Sequence, residues 1–484
     1  MTTRSSTPRR APTRKAAAEG RSRAVKPRMG RAERAAPLPL AAANDEYGTG
    51  PAGPRASRGR GTARRATESV ASGKKIRYAV VGLGHIAQVA ILPAFAQAQH
   101  NSTLAALISD DPEKLRKLSR RYGVRHVCSY DDADELFESG KVDAVYITLP
   151  NSMHREYTER AARAGLHVLC EKPMAVTSED CARMIEVRRQ NAVKLMIAYR
   201  LHFERGNLEA AEMAHSGTLG DLRFFTSNFS MQVAPENFRS SRRLGGGPLY
   251  DIGIYCINAA RAAFAAEPTE VLATAVTRRD QRFKEIPETV AGVMKFPHER
   301  VASFTCSFGA ADRSAYEIVG TKGSITLDPA YEYAQGVEYM LRLGKREREK
   351  RYEKSDQFAP ELIYFSDCVL RDSEPEPSGE EGIADVRVIE ALNRSIETGR
   401  WVSPELPQRK RQRRAASDEL RVIIAALCGD MARFCIAARH VGGTRDLPGM
   451  RIGLLLGRTQ RQRKQAAETK GPPPAAAGEK RAGG

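Results

Sequence analysis

A glycine-rich turn between a strand-like run and a helical pattern constrains this chain more than any other feature. The apolar run YAVV, residues 78–81, has the character of a buried strand. Gly82, Gly84 and Ala87 follow it as G-x-G-x-x-A, and apolar residues then recur at helical spacing. Gly82 permits a tight turn, Gly84 lets the backbone approach a pyrophosphate, and Ala87 keeps helix and strand close. The turn therefore predicts a dinucleotide site, with the phosphates at the N-terminus of the helix.

The rest of the chain predicts two sheets. TLAALIS, DAVYITLP and HVLC are strand-like and are separated by helical stretches, which is typical of a doubly wound parallel sheet. After residue 200, the runs LRFFTSNFSMQV, TEVLATAVT, TVAGVMKF and VASFTCSFG alternate in polarity and are separated by turn residues. The sequence predicts an α/β protein with a Rossmann domain over residues 74–198 and an α+β domain over residues 199–403.

The end of the second predicted strand bears on which dinucleotide is bound. A fold that prefers NAD usually places an acid there to bind the ribose 2′-hydroxyl, but this chain has Ser109. A serine can hydrogen-bond a 2′-phosphate without repelling it, and Lys114 could neutralise the phosphate charge. NAD stays an alternative cofactor because Asp110 and Asp111 follow Ser109 directly. A shift of one residue in the predicted end of the strand would place an acid at this position. The specific chemistry favours NADP over NAD.

A second glycine-rich segment, GGGPLYDIGIYCINAAR at residues 245–261, contains a carboxylate and a phenol four residues apart. A helix beginning near Leu249 would put Asp251 and Tyr255 on one face. The alternative interpretation is a helix cap by Asp251 and a half-buried core tyrosine.

Lys172 follows a strand-like run at the carboxyl end of the predicted parallel sheet, where doubly wound folds bind ligands. The alternative interpretation of Lys172 is an exposed loop lysine.

These motifs together resemble the Gfo/Idh/MocA oxidoreductases, and within that family the glucose-fructose oxidoreductase branch. The resemblance covers most of residues 74–403 and includes VVGLGHIA, DAVYITLPNSMH, AGLHVLCEKPMA, KLMIAYR, GGGPLYDIGIYCINAAR and IVGTKGSITLDP. It implies a Rossmann domain followed by a large, mostly antiparallel open sheet that carries the contacts of a homo-oligomer, a dimer or tetramer. It also implies hydride transfer between the nicotinamide and a carbinol of a sugar or polyol, for example an aldose such as glucose or xylose.

The resemblance implies three catalytic residues. Lys172 matches the lysine of the family's EKP motif, Asp251 matches its first-helix carboxylate, and Tyr255 matches a position that is His in many members and Tyr in the glucose-fructose branch. Hydride removal from a carbinol requires a base for the hydroxyl proton and stabilisation of charge on the oxygen. Tyr255 could relay the proton if the Lys172 ammonium favours its phenolate form, while Asp251 would orient the sugar hydroxyl or the lysine. Whether Lys172 or Tyr255 is the formal base stays open.

Further family positions predict contacts around the cofactor. Phe238 departs from the branch, which has Trp at this place, so the nicotinamide packing is not expected to be identical. The complete set of predicted cofactor residues comprises Gly82, Gly84, His85, Ile86, Ala87, Ser109, Lys114, Tyr130, Pro150, Asn151, His154, Glu171, Lys172, Arg200, Phe238 and Arg239.

Charge separates the ends of the chain from its middle. Residues 1–73 carry 16 Lys and Arg against 5 Asp and Glu, residues 404–484 carry 17 against 7, and the residues between carry 44 against 46. Both ends are rich in Ala, Arg, Pro and Gly and predict disordered basic extensions, apart from a candidate amphipathic helix in DELRVIIAALCGDMARFCIAARH. The tail RKRQRR could contact nucleic acid or an anionic surface, but the near-neutral middle argues against a nucleic-acid-binding fold.

Several function classes are disfavoured by absent patterns. The eight cysteines form neither a CxxC pair nor a Cys/His cluster with zinc spacing, so reduced thiols and no metal are predicted. No apolar run approaches the ~18 residues that span a bilayer, and no secretory signal is recognised, which predicts a cytoplasmic protein without membrane contact. Such an enzyme could release its cofactor at each turnover.

The rival function class is a non-enzymatic NAD(P)-binding sensor. Such a sensor would be expected to lack Lys172, Asp251 or Tyr255, whereas this chain has all three.

Overall fold

The computed structural model describes residues 73–406. Apart from residue 73 and residues 404–406, the two predicted basic extensions lie outside the described residues, and so does the candidate helix at residues 418–440. Within residues 73–406, six cysteines are free thiols, and no group of His, Cys, Asp and Glu is arranged to hold a metal ion. None of the helices in this range combines the length and the apolar character that crossing a membrane requires.

The first sheet confirms the predicted Rossmann architecture. Its six strands are all parallel and lie in the order β3-β2-β1-β4-β5-β6. The strand order reverses between β1 and β4, and ligands of doubly wound folds bind in the crevice at such a point. The strands are β1 (Ile76–Val81), β2 (Ser102–Ile108), β3 (His126–Cys128), β4 (Ala144–Ile147), β5 (His167–Glu171) and β6 (Leu195–Ala198), and the helices are α1 (Leu92–Ala94), α2 (Pro112–Tyr122), α3 (Ala133–Glu138), α4 (His154–Arg163) and α5 (Ser178–Gln190).

The glycine-rich turn after β1 has the geometry that its sequence requires. Gly82 has φ of 96°, and a Cβ added to it would lie 2.9 Å from the carbonyl oxygen of Thr148, so only glycine fits without strain. The chain then enters a five-residue π-helix, Ala87–Ile91, which continues directly into α1. Ala87 is fully buried against the sheet, as its predicted packing role requires.

The second sheet confirms the predicted large, mostly antiparallel arrangement. Its eight strands lie in the order β14-β13-β12-β11-β7-β10-β9-β8, and only the interior pair β7 and β10 is parallel. Helices α6, α7 and α9 pack against strands of this sheet. The elements are α6 (Arg205–His215), β7 (Leu222–Ser230), α7 (Ile254–Phe264), β8 (Glu270–Val276), β9 (Thr289–Phe296), β10 (Arg300–Ser307), β11 (Arg313–Gly320), β12 (Gly323–Leu327), β13 (Glu338–Leu343), β14 (Arg346–Arg351), α8 (Phe358–Leu370) and α9 (Gly379–Thr398).

Two late helices link the sheets and fix the helix that carries the candidate catalytic pair. Helix α8 returns to the first sheet and packs against β1, β2 and α1. Helix α9 packs against β8, α5 and α7, and a buried charge network joins it to α7. Arg261 of α7 is fully buried and pairs with Asp385 of α9 at 2.6 Å and with Glu267 at 2.6 Å. Because each of these buried charges is paired, α7 has a defined position relative to the sheet.

Candidate active site

Three charged side chains from three separate segments meet beyond the carboxyl end of β5. Lys172 follows β5, Arg239 lies in the 3-10 turn Phe238–Ser240, and Asp251 lies in the π-helix Leu249–Gly253. The Lys172 Nζ donates to Asp251 Oδ1 at 3.0 Å and to the Asp251 carbonyl oxygen at 2.8 Å. The Arg239 Nε donates to Asp251 Oδ2 at 2.6 Å. The Asp251 carboxylate therefore bridges two cations, and its alternative interpretation as a helix cap is wrong.

The predicted helix start near Leu249 is confirmed, although its first turn is π-helical. The π-helix Leu249–Gly253 continues into α7, which begins at Ile254. A Cβ on Gly253 would approach the Cys306 Sγ to 3.0 Å, so a glycine lets this turn lie close to the second sheet. Asp251 and Tyr255 both contact Lys172, as expected for residues on one face. Single-turn π-bulges are frequently found at functional sites.

The ring of Tyr255 has two cations against it. Lys172 Nζ lies 4.9 Å from the ring centroid, and Arg200 Cζ also lies 4.9 Å from it. The ring packs on Phe229 and Tyr331, with centroid distances of 5.6 Å and 6.0 Å. Within residues 73–406 the Tyr255 hydroxyl makes no hydrogen bond, so it is available to a bound molecule.

Electrostatic interactions hold this cluster in one charge state. Burial disfavours ionisation of Asp251, but the Arg239 and Lys172 charges outweigh it and hold the pKa of the carboxyl well below its ordinary value. Burial likewise disfavours the Lys172 ammonium, but the Asp251 carboxylate outweighs it and raises the lysine pKa. Asp251 also raises the pKa of Arg239. At neutral pH the cluster is therefore one carboxylate between two cations, with Lys172 in its ammonium form.

Arg200, which is predicted to contact the cofactor, is held by a glutamine, a backbone carbonyl and two phenol rings. Its Nη1 donates to Gln357 Oε1 at 2.6 Å, and its guanidinium lies 5.3 Å from the ring centroid of Tyr333 as well as against Tyr255. The Tyr331 carbonyl accepts from its Nη2. The residue is 6 % exposed, and its charge lies near the Glu171 and Glu361 carboxyl groups as well as the phenol rings.

Gly84, His85 and Ile86, which are predicted to contact the cofactor, follow one another in the first glycine-rich turn. Gly84 has open space about it, since an added Cβ would meet no atom of the described residues within 4 Å. His85 is exposed and Ile86 is half-buried beside it. Asn151, which follows Pro150 after β4, donates to the Gly245 carbonyl oxygen at 2.8 Å and so connects the segment after β4 to the second glycine-rich segment.

His154 was predicted beside the cofactor, but the structure buries it completely. Its Nδ1 lies 2.9 Å from the Pro173 carbonyl oxygen and its Nε2 lies 2.9 Å from the Leu149 carbonyl oxygen. Burial lowers the pKa of the imidazole. Both nitrogens are occupied, so His154 connects the segments that follow β4 and β5 and leaves neither nitrogen available to a ligand.

At the end of β2, Asp110 and Asp111 next to Ser109 both form local hydrogen bonds with the backbone. Ser109 is the first residue after β2, and its hydroxyl accepts from the backbone N–H of Asp111 at 3.2 Å. Asp110 Oδ1 accepts from the backbone N–H of Tyr130 at 2.9 Å, while Asp111 caps α2. The Lys114 ammonium lies 3.1 Å from Asp111 in an exposed pair. Both acids thus have local structural partners, and the serine stands at the strand end.

Comparison with known proteins shows the family to which the two domains belong. Residues 76–199 match the model of an oxidoreductase family with an NAD-binding Rossmann fold, and residues 207–326 match the GFO/IDH/MocA C-terminal domain. The chain belongs to the Gfo/Idh/MocA oxidoreductase family.

Similar proteins include enzymes that act on sugars. D-xylose 1-dehydrogenase [NADP(+)] from Haloarcula marismortui is 32% identical over 339 residues, 68% of this chain and 94% of that protein. An aldose-aldose oxidoreductase from Caulobacter crescentus, solved with glycerol, is 40% identical with a TM-score of 0.66, covering 68% of this chain and 99% of that one. A 3-ketoreductase from Actinomadura kijaniata, solved with TDP-benzene and NADP, is 26% identical with a TM-score of 0.61, covering 66% and 98%.

Some residues of the site carry no local sequence signal. Tyr333 and Gln357 lie more than a hundred residues beyond Arg200, in segments without a recognisable motif, and only the fold brings them to it. Tyr146 lies inside a predicted buried strand, where a core role is the natural expectation. A tyrosine within an otherwise aliphatic strand is the one signal that could have marked it, because buried phenols need hydrogen-bond partners.

Proposed function

We propose that this chain is an NADP-dependent oxidoreductase that removes hydride from a carbinol carbon of an aldose such as xylose or glucose. The observation that supports this most strongly is the meeting of Lys172, Asp251 and Tyr255, with an available phenol hydroxyl beside an ammonium. A sensor that only binds the dinucleotide would have no need to maintain this cluster. The substrate class is further supported by the sugar-oxidising relatives, which each cover 68% of this chain.

The proposed reaction uses the chain's residues to manage a proton and a developing negative charge. Tyr255 accepts the proton of the sugar hydroxyl while the carbinol carbon loses hydride, and the Lys172 and Arg200 cations stabilise the phenolate. Lys172 also donates a hydrogen bond toward the sugar oxygen as it becomes a carbonyl. Asp251 holds the ammonium in place and keeps it protonated. Bound NADP supplies the nicotinamide ring that accepts the hydride.

The first glycine-rich turn fits the cofactor. Gly82 takes a φ that the turn requires, and the open space about Gly84 leaves room for a pyrophosphate beside the backbone. Residues at the ends of β1, β2 and β4 would hold the dinucleotide along the switch point. Phe238 is 37 % exposed near Arg239, so it offers an aromatic surface that a bound cofactor could cover.

Selection of NADP is proposed for Ser109, with Lys114 as the balancing cation. Ser109→Asp should shift the preference toward NAD by about 1 to 3 kcal/mol, because a carboxylate would repel the 2′-phosphate and accept from a ribose hydroxyl. The ratio of kcat/KM for NADP and NAD measures this shift. Ser109→Ala is the matched control, since it removes the hydroxyl without adding charge and should move the ratio much less.

The same pair of variants can contradict the assignment. A wild-type enzyme that already prefers NAD would show that Ser109 does not select the phosphate. A Ser109→Asp enzyme with an unchanged ratio would show that another residue selects between the two cofactors.

To bind the 2′-phosphate, Lys114 would have to leave its exposed pair with Asp111. This costs little, because such pairs contribute about 0–1 kcal/mol.

A second candidate function is oxidoreduction between two sugars on a retained cofactor, as in the glucose-fructose branch. It is favoured by the 40% identical aldose-aldose oxidoreductase and by Tyr255 at the position where that branch has Tyr. Mass spectrometry of nucleotide retained on the purified protein separates the candidates. A retained equivalent of NADP, with reduction of a second sugar in the absence of added cofactor, would support the two-sugar reaction. Protein free of nucleotide and dependent on added NADP would support a dehydrogenase.

Assembly and location stay predictions. A homo-oligomer, a dimer or tetramer joined through the second sheet, can be tested by analytical ultracentrifugation of the purified chain. The cytoplasmic location can be tested by cell fractionation.

A further inference from the structure

Two buried carboxyl groups share one phenol hydroxyl directly behind the candidate active site. The Tyr146 hydroxyl oxygen lies 2.9 Å from Glu361 Oε2 and 3.3 Å from Glu171 Oε1. A phenol has a single proton to donate, so it cannot donate a full hydrogen bond to two carboxylates at once. If one carboxyl carries a proton, it can donate to the phenol oxygen while the phenol donates to the other. The geometry therefore indicates one additional proton in this group.

The surroundings indicate which carboxyl holds it. Glu361 is 0 % exposed, and its Oε1 has no hydrogen-bond partner within residues 73–406, which is costly for an anion and much less so for a neutral acid. Glu171 instead accepts from the Lys172 backbone N–H at 3.3 Å and lies near two cations, Lys172 and Arg200. The anion is better stabilised on Glu171 and the proton on Glu361.

The charged and titratable groups that face Glu361 support the same assignment. They are Tyr146 on β4, Glu171 on β5, Arg200 after β6 and Asp356 before α8. Burial, followed by the Glu171 charge, raises the pKa of the Glu361 carboxyl well above its ordinary value, and the Tyr146 hydrogen bond and the Arg200 charge only partly oppose this. Burial also raises the pKa of Glu171, but Lys172 and Arg200 oppose it directly.

We propose that Glu361 is a positioning residue of the candidate active site, a neutral carboxylic acid that donates to Tyr146 and thereby fixes Glu171 behind Lys172. The role rests on the proposed function, because Lys172 is the group that it positions. The Glu171 carboxylate accepts a hydrogen bond from the Lys172 backbone N–H, and its charge contributes to keeping the Lys172 side chain protonated. Glu361, Tyr146 and Glu171 would therefore form a chain of hydrogen bonds that ends at Lys172, the residue with the candidate catalytic ammonium.

Infrared difference spectroscopy tests the proton directly and does not depend on activity. The full chain should be measured at neutral pH in H₂O and D₂O, as wild type minus Glu361→Gln. We expect loss of a carboxylic acid C=O band that shifts in D₂O. The matched difference against Glu171→Gln should lose carboxylate bands instead. Loss of carboxylate bands in the Glu361 variant, or of the acid band in the Glu171 variant, would overturn the assignment whether or not the protein oxidises sugars.

Kinetics tests the positioning role. Glu361→Gln retains a neutral donor and should keep kcat within about twofold, whereas Glu361→Leu and Tyr146→Phe should each lower kcat about tenfold, the range for one lost buried hydrogen bond. Thermal melts of each variant show whether it is folded, and Tyr146→Phe serves if the Glu361 variants are not. Equal rates for Glu361→Gln and Glu361→Leu, or an unchanged rate for a folded Tyr146→Phe enzyme, would contradict the role.

Discussion

Tyr255→Phe and Lys172→Met should each lower turnover of an aldose by about 10²-fold or more, the range for a lost acid–base group, with cofactor affinity changed much less. Tyr255→Phe removes only the hydroxyl that is available to a substrate and keeps the ring that packs on Phe229. Lys172→Met removes the ammonium that lies 4.9 Å from that ring and keeps an unbranched side chain that is one atom shorter. Steady-state rates with a panel of aldoses, beside dissociation constants for NADP, measure the effect.

Combining the two substitutions tests whether they act as one unit. If Tyr255 and Lys172 belong to one proton path, the double variant should be little slower than the worse single variant, because either substitution already interrupts the path. Tyr331→Phe is a matched control, since it removes a neighbouring buried hydroxyl that bonds Ser227 at 2.6 Å. That control should lower the melting temperature and leave most of the rate. Near-normal turnover in a folded Tyr255→Phe enzyme would show that the Tyr255 hydroxyl is not catalytic and that the residue only packs in the core.

The fold could be predicted well because it depends on patterns that are local in sequence. The G-x-G-x-x-A turn with its flanking strand and helix predicts the first βαβ unit, and the alternating runs after residue 200 predict the strands β7 to β10. The helix carrying Asp251 and Tyr255 was predicted for the same reason, since four-residue spacing is a property of a single helix. Its π-helical first turn was not, because no local spacing marks the close approach of Gly253 to Cys306 of β10.

The supporting parts of the site could not be predicted because they are brought together only by long-range packing. Glu361 lies on α8, which follows the last strand of the second sheet in the chain and packs on the first sheet, so no spacing in the sequence relates it to Tyr146. Arg200 and His154 were recognised from motifs, but the motif did not show what they contact. The structure directs Arg200 to phenol rings and Gln357, and it buries His154 between two carbonyl oxygens.

Asp251→Asn should destabilise the protein by about 3 kcal/mol or more and also change the pH dependence of the reaction. The substitution leaves Lys172 and Arg239 partly buried without the carboxylate that pairs with both, and breaking a buried pair in this way is costly. Thermal or denaturant unfolding of the two proteins measures the difference. Glu270→Gln, which breaks an exposed pair with Lys295, is the control and should cost about 0–1 kcal/mol.

The sign of the pKa shift predicts where on the pH scale the stability difference is lost. The Asp251 pKa is lower in the folded protein than its ordinary value of about 3.9, so its contribution is complete above about pH 5 and declines as the pH falls through the folded value. The stability gap between wild type and Asp251→Asn should therefore be constant near neutral pH and narrow below about pH 4. A gap that widens on acidification would contradict an ionised, cation-paired Asp251.

The same substitution should move the alkaline limb of the rate. Asp251 is the main group that raises the Lys172 pKa against burial, so without it the ammonium loses its proton at a lower pH. If the ammonium is required for turnover, the pH above which kcat declines should fall in Asp251→Asn. Measuring kcat against pH with saturating NADP and aldose, in parallel with Glu270→Gln, isolates the effect of this carboxylate. An alkaline limb at the wild-type position would show that Lys172 does not depend on Asp251 for its protonation during the reaction.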